Sequence, residues 1–131
     1  MTVLVACNTS AHGEAALRAG TAEAARRRLP LAVLVLDPPP GGEATVPSPL
    51  AEALAGVPDD VVVESVAFRR EDEEPADAIL DAVDAVAATL VVVGSRKRSS
   101  DGTFMMGTTT QRVLLDAPAP VLVVKDVYDT P

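Results

Sequence analysis

Residues 89–125 read TLVVVGSRKRSSDGTFMMGTTTQRVLLDAPAPVLVVK, and the order of signals in this stretch decides the fold. The apolar run at 90–93 has the unbroken Leu and Val character of a strand buried on both faces, and it stops at Gly94. A polar loop follows, carrying Ser95, Arg96, Lys97 and Arg98, and ends at Gly107, where Thr108, Thr109, Thr110 and Gln111 open a helix. The first amides of a helix have no acceptor within it and the positive end of its dipole lies there, so this entrance suits a phosphate. A turn at 117–120 then leads to a second apolar strand at 121–124.

Upstream the same alternation recurs. Residues 2–7 form another apolar run, which breaks at Asn8, Thr9 and Ser10. An Ala-rich amphipathic helix is expected over 10–28, with Leu17 and Leu29 as larger anchors and Arg26, Arg27 and Arg28 at its end, where cations offset the dipole. Pro30 stops it, and 31–36 reads as a second buried strand containing Val35. The Pro- and Gly-rich stretch 37–47 is a loop, either a flap beside a ligand or a variable surface excursion, and the second reading is preferred. Ser48 and Pro49 look like the N-cap and first-turn proline of a short helix through Ala55, with Gly56 as its stop.

A third strand is expected over 61–68, where Glu64 interrupts the apolar pattern and argues for an edge. After Pro75, Ala76, Ile79, Leu80, Val83 and Val86 repeat at helical spacing, with Asp77, Asp81 and Asp84 on the other face. The acidic run 71–74 reads as a solvated helix entrance in preference to a metal site. Strands and helices alternate throughout, which argues for a doubly wound α/β fold with a five-stranded parallel sheet and helices on both faces.

Composition narrows the function. At 131 residues the chain has the length of one domain, 1–131, and can bury about two-thirds of its unfolded surface. The formal net charge of −8 argues against a nucleic-acid or anionic-membrane partner, since both need a basic footprint. Cys7 is the sole cysteine, which suits a reducing compartment and rules out an internal disulfide framework. With no secretory signal pattern and no apolar run of spanning length, the expected location is cytoplasmic.

The motif Gly94, two residues, Lys97, nine residues, Gly107, Thr108 resembles the nucleotide-binding pattern of the universal stress protein family, which reads Gly, two residues, Gly, nine residues, Gly, then Ser or Thr. VLVACNTS, LAVLVLDP and APAPVLVVK extend the likeness over nearly the whole chain. The resemblance implies strand order 3-2-1-4-5, an adenine nucleotide such as ATP with Mg or Mn, a regulatory binding role, and a homodimer formed through Val121, Leu122, Val123 and Val124. It places the nucleotide against Cys7, Asn8, Thr9, Ser10, Val35, Gly94, Ser95, Arg96, Lys97, Arg98, Gly107, Thr108 and Thr109. Two positions depart from the pattern, Lys97 for glycine and Asn8 for an acid. A left-handed Lys97 would cost about 1–2 kcal/mol relative to glycine, which pairing of its ammonium with phosphate can offset. Asn8 can hydrogen-bond but contributes no charge.

Other readings stand beside this one. Thr108 and Gln111 fit an S/T-x-x-Q capping box, which would use the same groups internally. Gly102 and Gly107 imitate a P-loop frame, but Thr108 stands where its lysine belongs. Cys7 and His12 lack an orienting acid, and Asp101 fits a turn as well as a general base, so no catalytic residue is assigned. An interaction protein of the same fold without a nucleotide is the alternative function, and a slow ATP hydrolase is less favoured.

Overall fold

The computed structural model describes residues 1–38, 46–95 and 107–125. Five strands, β1 (Thr2–Cys7), β2 (Leu31–Val35), β3 (Val63–Phe68), β4 (Ala88–Ser95) and β5 (Val121–Lys125), alternate with four helices, α1 (Ala11–Arg27), α2 (Ser48–Ala55), α3 (Pro75–Ala85) and α4 (Thr108–Asp116). All strand pairs are parallel, and the order is β3-β2-β1-β4-β5, as the resemblance implied. No helix among the described residues is long and apolar enough to cross a membrane.

Side chains alternate across the sheet and build two cores. Val3, Val5 and Cys7 of β1 join Leu17 of α1 and Leu50 of α2 on one face, while Leu4 and Ala6 join Ile79 and Val83 of α3 and Val113 of α4 on the other. Burial on both faces is why β1 and β2 read as continuous apolar runs. On the edge, β3 is half exposed, and its Glu64 carboxylate accepts a hydrogen bond from the Thr2 hydroxyl at 2.8 Å. A charge on that strand discourages pairing with another chain.

Helix ends follow local chemistry with some shifts. Ser10 caps α1, its Oγ accepting from the Gly13 amide at 3.1 Å, and Arg28 closes the helix in the left-handed region at φ 56°. The N-cap of α2 is Pro47, so Ser48 is its first helical residue and not its cap; Gly56 ends it as expected. For α4 the N-cap is Gly107, which moves Gln111 one place past the position a capping box with Thr108 requires. That box therefore does not form.

The strand boundaries also move. β3 starts at Val63 instead of residue 61, because Val61 belongs to the preceding turn, its amide donating to the Pro58 carbonyl at 3.0 Å, while the Val62 carbonyl already accepts from Leu31 of β2 at 2.8 Å. β4 does not stop at Gly94; pairing with β5 carries it on, Gly94 opposite Val124 and Ser95 opposite Lys125. The flap expected within 37–47 falls largely on residues outside the described part of the chain, as do Arg96, Lys97, Arg98, Asp101, Gly102, Met105 and Met106.

α1 lies so close to β1 that a Cβ at Gly20 would stand 2.9 Å from the Val5 Cβ. Helix propensity alone makes Gly20→Ala stabilising by about 1 kcal/mol. Packing should win, because β1 is the central strand and cannot retreat, giving a net loss of about 1–2 kcal/mol in urea denaturation. A higher midpoint in the variant would show that the two elements separate freely.

Candidate functional site

The direction of chain progression along the sheet reverses between β1 and β4. Crossovers are right-handed, so α1 and α2 cover one face and α3 and α4 the other. The helices that follow the two adjacent strands thus diverge, and a crevice opens at their carboxyl ends. The cleft there has a volume of about 310 Å³, at the low end of the roughly 300–1,000 Å³ usual for small-molecule sites.

Its lining follows the strand order. Arg69 comes after β3, Leu36 and Asp37 after β2, Asn8 after β1, and Gly94 and Ser95 end β4. Three strand spacings make this trough about 14 Å long. Pro75 and Ile79 of α3 add an apolar wall, and Gly107, Thr108, Thr109 and Thr110 close the β4 end. Among the expected site residues, Asn8, Gly94, Ser95, Gly107, Thr108 and Thr109 meet in this cleft.

Others stand apart from it. Cys7 and Val35 are buried in the α1 core, where the Cys7 carbonyl accepts from Leu36 at 2.8 Å and the Val35 carbonyl from Arg69 at 2.9 Å. Thr9 and Ser10 shape the loop beside the cleft: the Thr9 amide donates to Asp37 Oδ2 at 3.0 Å, and the Ser10 amide to Asn8 Oδ1 at 3.0 Å. The Ser10 hydroxyl also donates to Asn8 Oδ1. Arg96, Lys97 and Arg98 lie outside the described residues.

Three helix entrances border the cleft, and they differ chemically. α1 is capped by Ser10, and α3 begins with Pro75, which has no amide hydrogen. Among the described residues α4, like α3, has no side-chain cap, and the amides of its first turn border the cleft without a described capping oxygen. Its first turn is held to the sheet by Thr110, whose hydroxyl donates to the Gly94 carbonyl at 3.2 Å. Beside it the Ser95 side chain is 2% exposed, and its Oγ has no hydrogen-bond partner among the described residues. A buried unpaired hydroxyl costs about 1–3 kcal/mol.

The two glycines of the motif have different roles. A Cβ at Gly94 would overlap the His12 carbonyl, so this residue lets α1 approach β4. At Gly107 a Cβ would meet nothing described within 4 Å, and the backbone is in the ordinary extended region at φ −66°. Neither packing among the described residues nor conformation requires glycine at 107, whereas close approach of a ligand to the backbone would.

Arg69, Asp37 and Thr110 were absent from the sequence-based site. Arg69 donates from Nε to the Leu36 carbonyl at 2.8 Å and from Nη1 to the Glu73 carbonyl at 2.6 Å, clamping the end of β2 to the approach to α3. Strand order is the signal that finds these residues, since it brings the ends of β2 and β3 into line with β1. A second hollow of about 440 Å³ at the opposite end of the sheet is lined by Arg28, Leu29, Pro30 and Asp60, and no helix entrance points into it.

Asp37 also acts on the neighbouring thiol. Burial, and secondarily the negative charge of Asp37, push Cys7 from 9.0 up to about 12. The folded form holds this proton to higher pH than the unfolded form, so its stabilising contribution is complete below 9.0 and is lost as pH rises towards 12. Native protein should therefore resist a thiol reagent at pH 8 and react on addition of urea. Labelling of native protein at the unfolded rate would contradict the buried placement of Cys7.

The family model that matches residues 1–125 is that of the universal stress protein family. A universal stress protein of Mycolicibacterium smegmatis is 33% identical over 128 residues, covering 94% of this chain and 96% of its own. The structure of a universal stress protein from Archaeoglobus fulgidus matches with a TM-score of 0.76 at 29% identity, over 95% of this chain and 98% of that one. Another from Archaeoglobus fulgidus, in complex with dAMP, matches with a TM-score of 0.65 at 26% identity over the same shares. Motif, strand order and relatives agree, and the chain belongs to the universal stress protein family.

Proposed function

We propose that this protein is a regulatory binding module for an adenine nucleotide, ATP with a divalent cation, and acts in the cytoplasm. One observation carries the reading: the uncapped entrance of α4 and the buried, unpartnered Ser95 hydroxyl face the same cleft, beside a glycine that nothing described in the protein fills. Amides, hydroxyl and dipole together offer an anion the donors it needs. The dAMP complex of a relative supports a nucleotide as the anion.

Thr108 and Thr109 supply amides to the phosphates, Ser95 supplies its hydroxyl, and Asn8 borders the sugar. The base lies against Leu36 and Ile79, the apolar part of the lining. Arg96, Lys97 and Arg98 are proposed to pair with the outer phosphates. No group of three His, Cys, Asp or Glu side chains among the described residues could hold a metal, so Mg or Mn would arrive on the phosphates. The alternative of a nucleotide-free interaction protein draws on Asn8, whose side-chain oxygen is engaged by Ser10.

Calorimetry with Mg-ATP on nucleotide-stripped protein tests the reading. Micromolar or tighter binding is expected, lost in Gly107→Val, whose side chain would block the approach of phosphate. Ser95→Ala should weaken binding about tenfold yet leave the empty protein equally or more stable, because it removes an orphan hydroxyl. No heat with wild-type protein at several temperatures, and no thermal-shift protection, would leave the interaction protein as the reading.

The dimer is proposed to form through β5. That strand pairs only with β4 among the described strands and carries exposed Leu122, while α4 carries exposed Leu114 and Leu115, the last 84% exposed. An open strand edge beside apolar side chains fits a symmetry-related copy. Leu115→Glu combined with Leu122→Glu should shift sedimentation to monomer while circular dichroism shows the chain still folded. A dimer that survives both changes would place the interface elsewhere.

A further inference from the structure

Asp37 is the one carboxylate lining the cleft among the described residues, and phosphate binding at α4 leaves it without a role. Its Oδ2 is fixed by the Thr9 amide at 3.0 Å, while its Oδ1 has no donor among the described residues. Asn8 cannot serve instead as an acceptor, because its Oδ1 already takes both the amide and the hydroxyl of Ser10. Ser95, the α4 amides and the Arg69 guanidinium all present donors. The trough therefore has many donors for a ligand's oxygens and one ionised acceptor for a ligand's hydroxyls.

Position selects which ligand hydrogens reach it. Asp37 sits between Asn8 and Arg69 along the sheet edge, two strands from the phosphate seat, with its carboxylate at the rim beside exposed Thr9. Ile79, fully buried, lies deeper, and with Leu36 and Pro75 it gives an apolar surface that suits the flat base. Between phosphate and base, at the wet rim, comes the sugar. A vicinal diol can donate two hydrogen bonds to one carboxylate, each strengthened by its charge.

We infer that Asp37 is a specificity-determining residue that accepts hydrogen bonds from the ribose hydroxyls, so that the site prefers ribonucleotides to deoxyribonucleotides. This rests on the nucleotide reading above and adds to it the class of sugar. Asp37→Asn is the suitable variant: its oxygen keeps the Thr9 amide satisfied, and its NH2 group turns an acceptor towards the sugar into a donor.

The test is calorimetric titration of the full chain, wild type and Asp37→Asn, with the magnesium complexes of ATP, 2′-deoxy-ATP, 3′-deoxy-ATP and inosine triphosphate. Wild type should bind ATP about ten- to a hundredfold more tightly than either deoxy analogue, and the variant should bind all three adenine nucleotides alike. Equal affinity of wild type for ATP and the deoxy analogues overturns the inference while leaving nucleotide binding intact. So does a preference that persists in the variant, or a variant that loses only discrimination against inosine, which would assign Asp37 to the base. Failure of every nucleotide to bind removes the functional reading itself, and this inference with it.

Discussion

The parallel pairing of β1 with β4 is the constraint on which the molecule depends. Each is covered on both faces, so their backbones exchange hydrogen bonds in a dry interior where no other partner exists. The direction in which successive strands are added across the sheet reverses at this pair, and right-handed crossovers then force the following helices to opposite sides. The cleft is the space left by that divergence. Its polar groups arrive at strand ends and helix entrances, where backbone chemistry is unfinished, while the core beneath remains aliphatic and closely packed.

The electrostatics of the cleft are local. With a net charge of −8 the protein's long-range field repels an anion, so the proposed capture rests on short-range donors at α4 and Ser95. Surface ion pairs contribute elsewhere. Arg112 links α4 to Asp77 on α3, with both groups substantially exposed, and that pairing orients the helix roof more than it stabilises it. Arg69 works differently: its guanidinium binds backbone carbonyls from two segments and so sets the shape of the cleft beside β2.

Much of this was legible in the chain because burial on two faces leaves a plain signature. The runs at 2–7 and 31–36 announced central strands, Glu64 announced an edge, and Ser10, Arg28 and Gly56 marked helix ends where the structure has them. Gly107 was legible as a helix entrance but not as its cap, since propensity favours Thr108 for that role. Gly94 was read as a ligand glycine, and the structure adds a packing reason that depends on where α1 crosses β4. Asp37 and Arg69 escaped notice because they carry no local motif; only strand order, which joins residues 29 and 61 positions beyond Asn8, brings them to the site. Cys7 and Val35, picked out for their neighbourhood, point into the core because side chains alternate along a strand.

Backbone amide NMR with a graded addition of Mg-ATP tests the central claim most directly, because it reports where on the molecule the ligand sits. The account predicts the largest shifts at Gly107, Thr108, Thr109 and Ser95, smaller ones at Asn8 and Asp37, and none at Arg28 and Asp60 at the far end of the sheet. Saturable shifts confined to the far end, or spread with no maximum at the α4 entrance, would contradict a nucleotide site built on the divergence of β1 and β4.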